Sequence, residues 1–213
     1  MVYSQTSMSV INFDYQKESN GNKQESASVY FDPNIGLYIF IREPIIQYIK
    51  MAADRLIYYY PKKNMALFIN NPDALISTTP VQLFVYTGSE DLGLSSMGFS
   101  LINHDFKGDS LITIWEIKGK KKREYIRIEV CSKNERIIET RSFDIKNVLM
   151  KKVSFSNWLK LNNNLYPLNI KIIENDLIDI YNFSHVKTLD SIPDSVKDNF
   201  KLPEDCEIHE YIF

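Results

Sequence analysis

His104, His185, His209, Cys131 and Cys206 have the widest chemical repertoire of any residues in this chain, and their spacing assigns them none of it. A transition-metal site needs two ligands on one face of an element, as His-x-x-x-His or Cys-x-x-Cys provides, and neither pattern occurs. The histidines read as surface or singly hydrogen-bonded side chains. The cysteines read as two buried thiols or as one long-range disulfide, and the sequence leaves both open. Acyl transfer needs a serine on a Gly-x-Ser-x-Gly turn; the nearest approach, Leu94-Ser95-Ser96-Met97-Gly98, lacks the first glycine. Neither Gly-x-Gly-x-x-Gly nor a Gly-Lys-Ser/Thr phosphate cradle is present. Glu204-Asp205 follows Pro203 and reads as a solvated turn. The expectation is a protein with no catalytic residue, no metal and no cofactor, one that holds something rather than transforms it.

Charge supports a narrow set of partners. With 25 basic and 27 acidic residues in 213, there is no global pull on nucleic acid or an anionic membrane. The one dense charge feature is Lys118-Gly119-Lys120-Lys121-Lys122-Arg123, predicted at a hairpin tip. Lysine at such a tip keeps an edge solvated; the sharper reading of Lys118, Lys120, Lys121, Lys122 and Arg123 is a docking tip for anionic headgroups or an acidic partner. No apolar run reaches the length of a spanning helix. Met1-Val2-Tyr3-Ser4-Gln5 lacks the basic start and apolar core of a signal peptide, so the chain reads as cytosolic or as a trimmed mature form.

The elements that must position any site are mainly strands. The chain is 44% hydrophobic and 13% aromatic, with 13 tyrosines and 12 phenylalanines, which favours β-structure in one domain spanning 1–213. From Ser26 to Ile69 it repeats short aromatic-rich runs broken by turn residues, the pattern of an antiparallel meander. Within it Tyr38 and Phe40 point to one face while Leu37, Ile39 and Ile41 point to the other, so both faces are apolar. Ser7 to Tyr15 predicts an opening strand, and Lys17 to Glu25 a polar loop with Asn20-Gly21 at its tip. Asn71-Pro72 and Thr79-Pro80 are helix-start signals, predicting one or two short helices up to a stop at Gly88. Asp91 to Ser100 reads as a mobile loop. Strand patterns resume from Leu111, at Glu124 to Ser132, at Arg136 to Ile145 and in a hairpin from Leu165 to Ser184, giving about ten or eleven strands, too many to lie flat. One helical turn is predicted within Asp190 to Phe200 and an edge strand from Cys206 to Phe213.

The succession ASVYFDPNIGLYIFIREP, then IIQYIKMAADRLIYYYP from Ile45 to Pro61, and the closing Asn199-Phe200-Lys201-Leu202-Pro203, resembles the outer-membrane lipoprotein carrier (LolA-like) family over roughly Ser26 to Phe213. The resemblance implies a strongly curved antiparallel sheet forming an open half-barrel, mainly β with a few short α-helices that act as a lid. It implies a periplasmic monomer, not an enzyme, that holds a lipoprotein acyl chain or another apolar ligand. Tyr38, Phe40, Tyr48, Tyr58, Tyr60, Phe68, Phe84 and Trp115 would line the cavity, with Tyr59 in the same aromatic set. Pro72, Pro80, Val81, Phe84 and Val85 would form the lid. The alternative is a lipoprotein-sensing module of the same fold that docks other envelope proteins without transport. Two positions depart from the family: Asp32 stands before Pro33 where an arginine latch is expected, and Asp54-Arg55 replaces an Asp-Gly turn.

Overall fold

Alternating apolar runs do become strands. A computed structural model describes residues 9–52, 55–70, 79–87, 91–95, 97–117 and 126–212. Among them are β1 (Val10–Ser19), β2 (Asn22–Asp32), β3 (Gly36–Glu43), β4 (Gln47–Met51), β5 (Arg55–Tyr60) and β6 (Met65–Asn70). Helix α1 (Pro80–Tyr86) follows, then β7 (Phe99–Lys107), β8 (Ser110–Ile117), β9 (Arg127–Lys133), β10 (Arg136–Phe143) and β11 (Leu149–Leu161). The chain ends through β12 (Asn164–Glu174), β13 (Leu177–Leu189), α2 (Asp194–Asp198) and β14 (Glu207–Ile212). Among the described residues fourteen strands form one hydrogen-bonded order, β14-β6-β5-β4-β3-β2-β1-β13-β12-β11-β10-β9-β8-β7, with no pairing between its two ends. No described helix is long and apolar enough to cross a membrane.

The chain divides into two compact units, Met1–Gln16 with Gln24–Ser77 and Phe183–Phe213, and Lys17–Lys23 with Thr78–Asn182. In the first, the meander runs antiparallel from β2 to β6, and β14 adds to β6 in parallel, Ile208 opposite Ala66. Phe13, Ala27 and Val29 are almost fully buried, with Phe13 edge-on to Phe183 at 5.7 Å. Gly36 turns β2 into β3 at φ +121°, where a Cβ would stand 2.0 Å from the Met51 carbonyl oxygen, so only glycine fits. Asp32, in the latch position, instead closes this turn by accepting a hydrogen bond from the Asn34 N–H at 2.8 Å.

In the second unit α1 is capped as its sequence predicts. Thr79 Oγ1 accepts from the Gln82 N–H at 3.2 Å and Gln82 Oε1 accepts from the Thr79 N–H at 3.1 Å, with Pro80 in the first turn. Val81 to Val85 are all buried, and the Phe84 ring stacks on Tyr166 of β12 at 5.3 Å.

Three expectations are corrected. The polar segment from Lys17 is strand, not loop: a two-residue turn at Asn20 (φ 49°) and Gly21 (φ 83°) lets β1 and β2 run up to it, and Lys17 is polar because it pairs with Asp179 at 2.9 Å. The segment read as mobile is a folded turn. The Asp91 carboxylate accepts from the Gly93 and Ser95 N–H groups, Leu92 and Leu94 are buried, and strand β7 has begun by Phe99. Strands outnumber the predicted ten or eleven, since β7 is exposed almost throughout and β11 hides its alternation behind Lys151-Lys152 and two serines. Lys152 is polar on that strand because it meets Glu139 at 2.7 Å. Of the two readings of the cysteines, the structure has free thiols, both half-buried rather than buried. The basic tip at 118–123, Pro72 and Gly88 lie outside the described residues.

Candidate functional site

Strand register decides which aromatic residues share a face. Tyr30 lies opposite Tyr38, Phe40 opposite Tyr48, and Tyr48 opposite Tyr59, so residues from β2 to β5 build one aromatic wall. Phe40 and Tyr48 stack at 4.8 Å, and Tyr59 lies 5.8 Å from Tyr48. The tail covers this wall. Phe200, just beyond α2, meets Tyr38 edge-on at 4.9 Å and Tyr48 at 5.7 Å. Val10, Tyr38 and Ile192 form a buried cluster beneath, with Tyr30, Leu189, Val196 and Phe200 packed around it.

Between wall and cover lies a cavity of about 300 Å³ lined by Ser28, Tyr30, Phe40, Arg42, Val196, Asn199 and Phe200. One end of it is aromatic and the other charged. Arg42 follows Phe40 by two residues on β3 and so faces the same way. Its Nη2 donates to Asp14 Oδ1 at 2.7 Å and to Ser28 Oγ, and Ser28 in turn donates to Asp14. His185, at a positive-φ position (53°) in β13, places Nδ1 3.0 Å from the other Asp14 oxygen. Burial pushes the Asp14 carboxyl up, but the Ser28 hydroxyl, Arg42 and His185 outweigh it and hold the group below its ordinary value.

This cluster holds charge; it is not arranged for acyl transfer. The Asp14 carboxylate stands between Ser28 and His185, and Ser184 Oγ, 3.4 Å from His185, shares the Nδ1 that meets Asp14, whereas a triad needs the hydroxyl on one ring nitrogen and the carboxylate on the other. A carboxylate with a lowered pKa is a poor base for a hydroxyl proton. No group of three His, Cys, Asp or Glu among the described residues could hold a metal. His104 is exposed on β7, and His209 lies 3.0 Å from Glu207 on β14.

The expected cavity set is thus divided. Tyr38, Phe40 and Tyr48 stand together on the wall, with Tyr59 beside them. Tyr58 and Tyr60 alternate to the opposite face of β5. Phe68 pairs with Ile57 under the Arg55 guanidinium at 5.4 Å. Phe84 and Trp115 belong to the other unit, Trp115 donating to Thr113 at 2.9 Å. Of the expected lid, Pro80, Val81, Phe84 and Val85 are in α1, which packs on β12. Tyr30, Phe200, Val196, Ser28, Asp14 and His185 were not expected at the site. Arg42 was within reach, because period two places it with Tyr38 and Phe40.

No protein-family model matches the chain, and no curated protein matches it. Solved structures do. A LolA superfamily protein from Nitrosomonas europaea superposes with a TM-score of 0.60 at 14% identity, covering 88% of each chain. This is a LolA-like fold. A DUF1329 family protein from Desulfovibrio piger shares it, with TM-score 0.63, 14% identity and 90% of each chain covered. So does a domain described as an outer membrane lipoprotein-sorting protein from Vibrio parahaemolyticus, with TM-score 0.58, 12% identity, and 90% of this chain and 89% of that one covered. The expected LolA-like architecture, an open half-barrel that is mainly β with short helices, is therefore the fold observed. In this LolA-like chain the wall, its tail cover and the Arg42 cluster are built from one unit.

Proposed function

We propose that this chain is a binding protein of carrier type that holds the acyl chain of a lipid or lipoprotein against the Tyr30, Phe40 and Phe200 rings. The observation that carries the reading is the cavity of about 300 Å³ between the aromatic wall and the tail. Each buried methylene contributes about 0.8 kcal/mol without directional bonds, so an apolar slot with aromatic sides is enough for affinity. The LolA-like fold supports the reading, as does the lipoprotein-sorting description of the Vibrio domain. A periplasmic, monomeric, non-enzymatic carrier is the corresponding role.

The test is organic extraction of freshly purified protein with mass analysis, together with binding of the neutral fluorophore N-phenyl-1-naphthylamine. Co-purified lipid, fluorophore binding, and loss of that binding in Phe40→Ala are expected. Absence of ligand by both routes rejects the proposal.

A further inference from the structure

The wall is not only apolar, and its charges are unevenly placed. Arg42 uses Nη2 for Asp14 and Ser28, while its Nε and Nη1 donors meet no acceptor among the described residues. A guanidinium carries five N–H donors and stays protonated, so Arg42 keeps both charge and donors in hand at the cavity edge. Lys50 lies on the same face, opposite Tyr38 and 5.3 Å over its ring, and no carboxylate meets it among the described residues. The two acids of α2 are already matched: Asp194 pairs with Lys197 at 3.0 Å and Asp198 with Lys201 at 2.7 Å. Asp14 is the acid that faces Arg42, and both its oxygens are engaged, by Ser28 and Arg42 on one side and His185 on the other.

We infer that the cavity selects an anionic amphiphile, whose carboxylate or phosphate oxyanion is taken by Arg42 while its chain lies against Phe40 and Phe200. The inference rests on the binding role proposed above and adds the ligand's charge. Arg42 is held by two hydrogen bonds before the ligand arrives, so little side-chain freedom is lost on binding. A charge-assisted hydrogen bond to an oxyanion is about twice as strong as a neutral one, which is the source of the selection.

The probes are sodium decanoate, decan-1-ol and decyltrimethylammonium, each displacing N-phenyl-1-naphthylamine at about pH 7.5, where the carboxylate is ionised. Decanoate is expected to bind about tenfold more tightly than decanol. Arg42→Gln should bring the ratio of decanoate to decanol affinity, read within the variant, close to one, and Arg42→Lys should retain part of the preference. Sodium acetate should fail to displace the fluorophore, which separates an amphiphile site from a simple anion site. Equal affinity for decanoate and decanol in the unaltered protein overturns the inference and leaves the binding role standing. Tighter binding of decyltrimethylammonium, or displacement by acetate alone, also overturns it. Failure of the fluorophore and all three amphiphiles to bind rejects both readings. Should Arg42→Gln fail to fold, the ligand comparison on the unaltered protein and on Arg42→Lys still decides.

Discussion

Phe200 stands edge-on to Tyr38, ring centroids 4.9 Å apart and planes at 87°, so a single aromatic from the tail pins the cover to the wall. Edge-to-face geometry suits the opposed polarity of ring edge and ring face. Phe200→Ala should cost about 2 kcal/mol, less than a fully buried phenylalanine because the ring is half-buried. Urea unfolding measures the stability, and fluorophore binding should fall in the folded variant. A folded variant with unaltered binding would remove the tail from the site.

Thr79 and Gln82 cap α1 reciprocally, at 3.2 and 3.1 Å. Thr79→Ala should destabilise the protein by about 1 kcal/mol, and Thr79→Ser by much less, since the hydroxyl acceptor is kept. Chemical denaturation of the three proteins side by side measures this, and equal midpoints would show that packing of Val81 to Val85 alone holds the helix.

Gly36 cannot be replaced without moving β4. With a Cβ 2.0 Å from Met51 O and a backbone φ of +121°, Gly36→Ala should cost at least about 2 kcal/mol. A midpoint shift near zero in urea would mean that the turn has another conformation of similar energy.

Glu139 lies between Arg141 at 2.6 Å on its own strand and Lys152 at 2.7 Å on the neighbouring one. Burial pushes its carboxyl up, but Lys152 and Arg141 outweigh that and hold it below the ordinary value of 4.5. Protons therefore bind the unfolded chain first. The stabilisation is complete above the ordinary value and is lost as pH falls through the lowered folded value. Asp179 follows the same rule: burial raises it, and Ser19 and Lys17 more than reverse the effect. Lys17 has the opposite sign; burial lowers it, Asp179 and Tyr181 raise it further, and its contribution is lost only as pH rises past its raised value. Thermal midpoints should fall between about pH 5 and pH 3, with a shallower fall in Glu139→Gln, which should already be less stable at neutral pH. Parallel curves would place the acid sensitivity on other carboxylates.

What the sequence discloses follows from range. The two-residue turn at Asn20-Gly21, the meander from Ser26 and the cap at Thr79-Pro80 are local signals, and each is where it was expected. Polarity misled wherever it was satisfied at a distance: Lys17 reads as loop until Asp179 is beside it, and Lys152 reads as surface until Glu139 is. The site suffered in the same way. Period two places Tyr38, Phe40 and Arg42 on one face, but only the register of β4 against β5 sends Tyr58 and Tyr60 to the other, and nothing local brings Asp14, Ser28 and His185 together.

The tail cover also sets an order of events at the ribosome. Asn64 reaches the Asp205 carbonyl across 141 positions, and β14 is the partner of β6, so the aromatic wall is synthesised long before the residues that shield it. At about 5–20 residues per second the nascent wall waits about 7 to 28 seconds with its rings facing water. A segment of that kind is a target for holding factors and for misassociation between neighbouring polysomes. The yield of this protein should therefore depend less on its final stability than on how that interval is bridged.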